Sequence, residues 1–242
     1  MERYGFKVVE PLVTLFKEQV RIVARYLGVP GEISERQPFP GPGLSVRVVG
    51  EIRPDKLETL KKTTAIVERE LAQHKPSQYF AVIIDNEESE WQSGMVYVQE
   101  AVARLLNIPS RNVSVKIFRD KATGVEAGKR RYGEILGIRV QTMNGKIHQT
   151  AIQNLVSLQT KIVTEKPTVA RVLYAVKDLA EKKPYVVGIR SVQTKDFLTA
   201  KVSDIPWAML NKIAEEIIKE YPKVSAVYYD VTPKPPATIE ME

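Results

Sequence analysis

The chain has 242 residues and a net charge of +7, from 36 Lys and Arg against 29 Asp and Glu, and it contains no cysteine. The absence of cysteine excludes disulfide bonds, thiolate metal sites and a cysteine nucleophile. With 43% hydrophobic residues, no apolar run of membrane-span length and no signal-peptide pattern, the sequence is typical of a globular protein, which we expect to be cytoplasmic. The surplus of positive charge favours anionic partners, although a solvated, lysine-rich surface has the same composition.

The first predicted element is an amphipathic helix over residues 10–27. Its apolar residues recur at spacings of three and four: Leu12, Leu15, Phe16, Val20, Val23 and Leu27. Gly28 and Pro30 then supply a stop signal. Residues 38–43 read PFPGPG, and we expect a stiff loop there because each proline fixes φ and restricts the residue before it. The β-branched residues of 45–49 predict a short strand.

The middle of the chain alternates between helical and extended patterns. Pro54 lies in the first turn of a predicted helix whose apolar stripe ends at Leu71. In chain order we then expect a strand at 80–84, a helix at 90–106, a strand at 113–117, a basic stretch containing glycine at 121–133, and a strand at 134–142.

The back half contains an internal repeat. The sequence GIRVQT at residues 137–142 recurs as GIRSVQT at residues 188–194. Six further residues reappear 55 positions later, in the pairs Glu165 and Glu220, Pro167 and Pro222, Val169 and Val224, Val172 and Val227, Tyr174 and Tyr229, and Val176 and Val231. A helical stripe lies between the matches in both copies, which span about 132–176 and 184–231, so each copy reads strand–helix–strand. We therefore predict an α+β fold in which a β-sheet, built from these duplicated units, is covered by helices on one side and preceded by an N-terminal helix.

The end of the sequence carries the clearest chemical pattern. Residues 234–240 read KPPATIE, in which the prolines hold Lys234 on a pre-ordered extended backbone that loses little entropy on meeting an anion. Thr238 adds a hydroxyl group, and Glu240 adds a carboxylate that accepts ring N–H groups. A phosphate and a base of one nucleotide could be bound by these three residues, whereas the same composition without a ligand would be a frayed, proline-rich tail.

This closing segment resembles the C-terminal signature of GMP synthases. Residues 38–44 with 46–51 resemble that family's PFPGPGL block and the VRVLGE block that follows it. Residues 77–82 resemble its SQAF strand, and residues 190–200 resemble its R-V-T-DFMTA stretch. The matching blocks keep the family's order along the chain, which makes the resemblance far more specific than one short motif.

The resemblance implies an activity and a set of binding residues. In GMP synthases ATP activates XMP as an adenylyl intermediate, and ammonia derived from glutamine displaces AMP to give GMP. By this resemblance the residues that contact XMP are Lys234, Thr238, Ile239, Glu240, Gln78, Pro40, Gly41, Pro42 and Gly43. The candidate phosphate contacts are Arg36, Lys129 and Arg130, although the basic run that contains the last two suits a solvated rim equally well.

Three departures from the family pattern shape this expectation. Nothing in the sequence resembles the glycine- and serine-rich phosphate loop of the adenylating domain, and the glutaminase cysteine is missing. We therefore predict no catalytic residue, metal site or cofactor in this chain alone, with ATP and Mg belonging to the complete enzyme. Ala226 replaces the arginine that usually precedes the V-Y-D sequence, although Arg171 occupies the equivalent place in the first copy.

These observations give an expected domain organisation and set of partners. Residues 1–37 would form the helical end of an ATP-pyrophosphatase domain, and residues 38–242 the XMP-binding and dimerisation domain. The partners would be XMP, an ATP-pyrophosphatase domain and a glutaminase on other chains, and a second copy in a homodimer, with the duplication making part of that interface intramolecular. Nucleic acid and membrane are not expected partners. The alternative is a non-catalytic module, derived from this domain, that binds nucleotides or RNA or serves dimerisation.

Overall fold

The computed structural model describes residues 9–35, 40–90, 94–126, 128–179, 181–195 and 198–242. The chain divides into two compact units, Met1–Phe39 and Pro40–Glu242. Each helix within the described ranges is too short or too polar to cross a membrane.

The first unit contains two short helices, α1 at Lys17–Tyr26 and α2 at Gly31–Ser34. The predicted helix over 10–27 begins later than expected, because residues 11–14 form turns and Phe16 is extended, with φ −72° and ψ 156°. The backbone N–H of Phe16 donates to Oε1 of Gln19 at 2.8 Å and so caps α1.

Among its described residues the second unit contains one mixed sheet and four α-helices. The helices are α3 at Pro54–Leu71, α4 at Met95–Leu106, α5 at Ile152–Glu165 and α6 at Trp207–Glu220. The strands are β1 at Gln78–Asp85, β2 at Val113–Glu126, β3 at Lys129–Val140, β4 at Val169–Asp178, β5 at Tyr185–Gln193, β6 at Lys201–Val202 and β7 at Val224–Asp230. The sheet order is β1-β5-β7-β4-β3-β2, with β6 paired to β5.

All four helices cover the same face of this sheet. Buried residues of α3, α4, α5 and α6 form one apolar cluster with alternate residues of the strands, as shown by Leu60, Val98, Leu155 and Leu210. The opposite strand residues form a second cluster that contains no helical residue, with Met241 among its members. The predicted fold class is therefore confirmed, and the second surface is called the helix-free face below.

The two predicted copies are related by an approximate twofold axis. In the first copy β3 and β4 are parallel around α5, and in the second copy β5 and β7 are parallel around α6. The copies meet where β4 and β7 pair antiparallel, with Tyr174 opposite Tyr229. These two tyrosines are themselves equivalent in the repeat, so the axis passes between them. The equivalence extends outward, because β2 pairs antiparallel with β3 as β1 does with β5.

Three predicted elements differ from the structure. The strand predicted at 45–49 is wrong: Gly43, at φ +74°, opens a 3-10 helix at Gly43–Arg47, and only Val48 makes a single bridge, to Ile83. The basic stretch at 121–133 belongs largely to the long β2–β3 hairpin, because small residues there admit a close backbone approach. A Cβ on Gly133, for example, would lie 2.7 Å from the Cβ of Ala170. The helix predicted at 90–106 is described only from Met95, since residues 91–93 lie outside the described residues.

Candidate functional site

The segment after β7, residues 231–242, is called the tail, and it crosses the helix-free face. The backbone of Lys234 is bonded to Ala200 in both directions, at 2.8 and 2.9 Å. On the other side of the tail, β2 receives it: the N–H of Val125 donates to the carbonyl of Pro236 at 2.6 Å, and the N–H of Thr123 donates to the carbonyl of Met241 at 2.7 Å. The tail is therefore an ordered part of the sheet surface rather than a frayed end.

Beneath the tail lies a fully buried cluster of three charges. Asp230, at the end of β7, places Oδ2 at 3.2 Å from Nη1 of Arg171 in β4 and at 3.1 Å from Nη1 of Arg190 in β5. All three side chains have no exposed surface. Arg171 comes from the first copy and the other two residues from the second, so the cluster joins the copies. One carboxylate cannot balance two guanidinium groups, and further acceptors are needed.

The tail supplies those acceptors through its backbone. Arg190 donates to the carbonyls of Thr232 at 2.5 Å, of Thr238 at 3.0 Å and of Ile239 at 3.3 Å. Arg171 donates to the carbonyl of Glu240. Burial lowers the pKa of Arg171 to about 10, so it stays protonated at neutral pH. The two cations therefore fix the course of the tail by charge-assisted hydrogen bonds to its main chain.

The side chains of Thr238 and Glu240 are also engaged. The hydroxyl of Thr238 accepts from Nη2 of Arg171 at 2.7 Å and lies 2.8 Å from the hydroxyl of Thr123. The carboxylate of Glu240 accepts from Nε and Nη2 of Arg47 at 3.1 and 3.3 Å. The guanidinium of Arg47 lies 3.9 Å from the centre of the Phe80 ring, a cation–π contact.

The other residues that are predicted to bind XMP differ in how they are placed relative to the tail. Gln78 is buried at the start of β1, and strand alternation places it on the helix-free face with Phe80. Residues 40–43 lead into the 3-10 helix, in which the carbonyl of Val46 accepts from the N–H groups of Met241 and Glu242, both at 3.1 Å. The 3-10 helix that follows the loop is thus bonded to the tail. Ile239 packs against the apolar cluster of the helix-free face.

The candidate phosphate contacts do not all lie in the described structure. Lys129 and Arg130 are exposed and begin β3 at the tip of the hairpin whose β2 strand bonds the tail. The tip of the hairpin therefore lies near Pro236, because Val125, the residue opposite Arg130, is bonded to the carbonyl of Pro236. No hydrogen bond or ion pair joins the side chain of Lys129 or Arg130 to a described residue of the tail. Arg36 lies outside the described residues.

Sequence reasoning missed the residues that hold the tail, namely Arg47, Thr123, Arg171, Arg190 and Asp230. A signal for two of them was present, since Arg171 and Arg190 each interrupt an otherwise apolar strand. A charged residue in such a position must find buried partners or disrupt the strand. Which partners it finds depends on tertiary contacts, and Arg171 lies 67 residues from Thr238.

Comparisons with known proteins relate the chain to one family. A family described as the GMP synthase C terminal domain matches residues 176–241, which comprise the second copy and nearly all of the tail. The chain is 42% identical over 244 residues to a protein of Sulfurisphaera tokodaii that is named as a subunit of glutamine-hydrolysing GMP synthase, a match that covers all of this chain and 58% of the relative. The proteins of the same name from Saccharolobus solfataricus and Archaeoglobus fulgidus are 39% and 35% identical, covering 100% and 99% of this chain and 58% and 51% of those relatives. The chain therefore spans little more than half the length of the curated relatives that it matches.

Proposed function

We propose that this chain, which matches the GMP synthase C terminal domain over residues 176–241, forms the XMP-binding part of a GMP synthase and acts in purine nucleotide biosynthesis as a component of that ligase. The observation that carries this proposal is the ordered tail: KPPATIE is held in one course by Arg171 and Arg190, and the two residues after it are bonded to Val46 in the 3-10 helix that follows the loop. A prearranged segment of this kind loses little entropy when a nucleotide binds to it.

Within this proposal the tail residues have different tasks. Lys234 would bind the phosphate of XMP, since its backbone is fixed on both sides by Ala200. Thr238 and Glu240 position the tail through Arg171 and Arg47, and any direct contact of their side chains with the base would use their remaining acceptor capacity. Gln78 and residues 40–43 would close the pocket, with Lys129 and Arg130 reaching it from the hairpin tip.

The chemical step requires groups from outside these 242 residues. When bound by an ATP-pyrophosphatase domain, ATP and Mg would supply the adenylyl group, and a glutaminase would supply ammonia. The first unit offers a surface for docking such a domain, because several of its large apolar side chains are exposed: Val9, Val13, Phe16, Ile22, Tyr26, Leu27 and Ile33. Exposed apolar residues in such density are typical of a protein–protein contact.

The direct test of the proposal is reconstitution. The chain is mixed with the ATP-pyrophosphatase part of a related enzyme, ATP, Mg, XMP and ammonium, and GMP is measured by chromatography. We expect GMP only when both parts are present, and Phe16→Asp should weaken their association without changing the thermal unfolding of the chain. Ile52→Asp, at an exposed position in the second unit, is the matched control. Equal GMP formation by the partner alone would overturn the proposal.

The binding role of Lys234 has its own test. Lys234→Met should weaken XMP binding by about tenfold or more in titration calorimetry of the reconstituted enzyme, because a charge-assisted contact to the phosphate is lost. Lys201→Met changes an exposed lysine in β6 beside the tail and should leave the affinity unchanged. An equal affinity for XMP in the two variants would count against Lys234 as a phosphate contact.

The oligomeric state remains a prediction. A homodimer is expected for such a domain, yet β4 and β7 already form a symmetric junction inside one chain. Light scattering at submicromolar concentration separates the two arrangements. A monomer is expected if the intramolecular junction replaces the usual dimer interface, whereas a tight dimer shows that another surface of the chain forms an interface between two copies.

A further inference from the structure

The helix-free face has a second polar region at the end opposite the tail. A cleft of about 280 Å³ opens there, lined on the sheet by Lys116 of β2, Gly137 and Arg139 of β3, and Tyr228 of β7. Asn86 and Ser225 close its inner side. Among the described residues no hydrogen bond or ion pair is shown between this cleft and the tail, so the two regions are separate.

The approximate twofold axis relates this cleft to the buried cluster under the tail. Gly137 and Arg139 are the counterparts of Gly188 and Arg190, since Ile138 lies opposite Tyr174 just as Ile189 lies opposite Tyr229. The counterparts of Arg171 and Asp230 are Ala226 and Ala175. This end of the face thus has an arginine equivalent to Arg190. In place of the other arginine and of the carboxylate it has the methyl groups of the two alanines.

Nothing equivalent to the tail covers this end of the face within the described ranges. The tail follows β7, whereas the strand equivalent to β7 in the first copy is β4, which is joined to β5 by a short connection between Asp178 and Tyr185. In the described part of that connection, Leu179, Glu181 and Lys182 line the cleft instead of crossing it. The truncated counterpart of the tail therefore leaves open the space that the tail fills at the other end.

Two groups in the cleft have the chemistry to meet an anion. The ammonium of Lys116 lies over the Phe118 ring at 4.5 Å and donates to Oδ1 of Asn86 at 2.8 Å, and no ion pair to it is found among the described residues. Burial lowers the pKa of Lys116, so an anion bound beside it would restore the favourable charged state. Tyr228 also lines the cleft, and its hydroxyl is a donor that a bound anion can accept from.

The acidic residues of the cleft narrow the choice of ligand. Oδ2 of Asp178 lies 3.6 Å from Nη1 of Arg139 and partly neutralises its positive charge. Glu88 and Glu181 lie at the rim of the cleft. A ligand that is anionic throughout would be repelled by these carboxylates, whereas one that joins an anionic group to N–H donors would satisfy both signs of charge.

We propose that this cleft is a second ligand site, which binds a phosphate group through Lys116, Arg139 and the hydroxyl of Tyr228. The phosphate is either free or carried by a nucleoside monophosphate whose base donates N–H groups to the rim carboxylates. The site is distinct from the tail and does not depend on the activity proposed above.

The test is titration calorimetry of the full chain with three probes: inorganic phosphate, GMP, and guanosine, which lacks the phosphate. Amide signals of Gly137 and Ser225 in a nitrogen–proton correlation spectrum locate the binding. We expect GMP or phosphate to shift these signals and guanosine to leave them in place. Stronger binding of GMP identifies a nucleotide, and equal binding of phosphate identifies the free ion. Binding of guanosine as tight as that of GMP, or no shift with any probe at millimolar concentration, would overturn the proposal.

Two variants and one control complete the experiment. Lys116→Met should weaken the binding at least about tenfold because the charge-assisted contact to the phosphate is lost. Arg139→Met should weaken the binding for the same reason, because the second cation of the proposed site is lost. Lys121→Met makes the first change at an exposed position of β2 outside the cleft and should have no effect. Thermal unfolding shows that each variant is folded, and unchanged affinity in a folded Lys116→Met protein would contradict the assignment.

Discussion

At one end of the helix-free face Arg171 and Asp230 are buried beneath the tail, while at the other end the equivalent residues Ala226 and Ala175 belong to the apolar cluster and an open cleft lies nearby. Arg190 is fully buried at the first end, and its counterpart Arg139 is about one-third exposed at the second. The same strand arrangement thus produces a closed end fixed by internal charges and an open end with cations available to a ligand. The difference depends on two small side chains and on the length of chain that follows β4 and β7.

The largest expected difference concerns the buried charges. Asp230→Asn leaves two fully buried guanidinium groups without their carboxylate, which should lower the free energy of unfolding by about 3–5 kcal/mol. Asp178→Asn removes the carboxylate from the partly exposed pair with Arg139 and should cost no more than about 1 kcal/mol at neutral pH. Urea denaturation measures both values. Similar losses in the two variants would show that the closed end is not held by its charge cluster.

A second comparison uses the two equivalent glycines. A Cβ at Gly188 would lie 2.6 Å from Cγ2 of Val82, a stiff β-branched side chain, so Gly188→Ala should cost about 1–3 kcal/mol. At Gly137 the nearest atom is Cε2 of Phe118 at 3.0 Å, beside the open cleft, and Gly137→Ala should cost about 1 kcal/mol or less. The order of the two values, measured by denaturation under the same conditions, shows which end is packed more tightly.

Sequence patterns predict most of this architecture but little of what separates its two ends. Periodicity places α3, β1, α5 and α6 correctly, and the repeat predicts the paired strand–helix–strand units, because these signals depend on local spacing. The strand predicted at 45–49 failed because a positive φ at Gly43 overrode the β-branched residues.

For the site, the tail is recognisable from its own seven residues. Its buried partners are not, since Arg171 and Arg190 lie 67 and 48 residues before Thr238 and no periodic signal links them. The cleft could not be predicted from the sequence for the same reason, because strand register decides that Lys116, Arg139 and Tyr228 line the same space.

A smaller effect is expected from the hydroxyl that links the tail to β2 and β4. Thr238→Val removes the acceptor of Arg171 and the partner of Thr123 while keeping the side-chain shape, and should lower the free energy of unfolding by about 1–2 kcal/mol. Limited proteolysis should then cut the tail faster. Thr164→Val, on the exposed side of α5, is the control and should stay within about 0.5 kcal/mol of the unchanged protein.

The smallest expected effect is a pH dependence of the open end. Burial raises the pKa of Asp178 above its ordinary value of 3.8, although Arg139 and Lys116 act in the opposite direction. The folded protein therefore binds this proton more tightly than the unfolded chain, and stability falls as the pH rises from about 4 through the raised pKa. Asp178→Asn should remove this slope from a series of denaturation curves between pH 4 and about 7. An unchanged slope would place its origin elsewhere.

The first copy is inserted between β1 and β5, the strand that begins the second copy. β1 and β5 pair directly, with Asp85 opposite Tyr185, so the chain leaves the end of β1 and returns beside it after making α4, β2, β3, α5 and β4. A shortened gene that joined Asp85 to Tyr185 would still encode α3, β1, β5, α6, β7 and the tail. In that shorter chain β7 would have lost its pairing with β4. Because Tyr229 lies at the axis, two such half-size chains could pair through β7 and rebuild the same strand order as a symmetric assembly. Such an assembly would carry two identical ends, so only a chain that holds both copies can close one end with the tail and leave the other open.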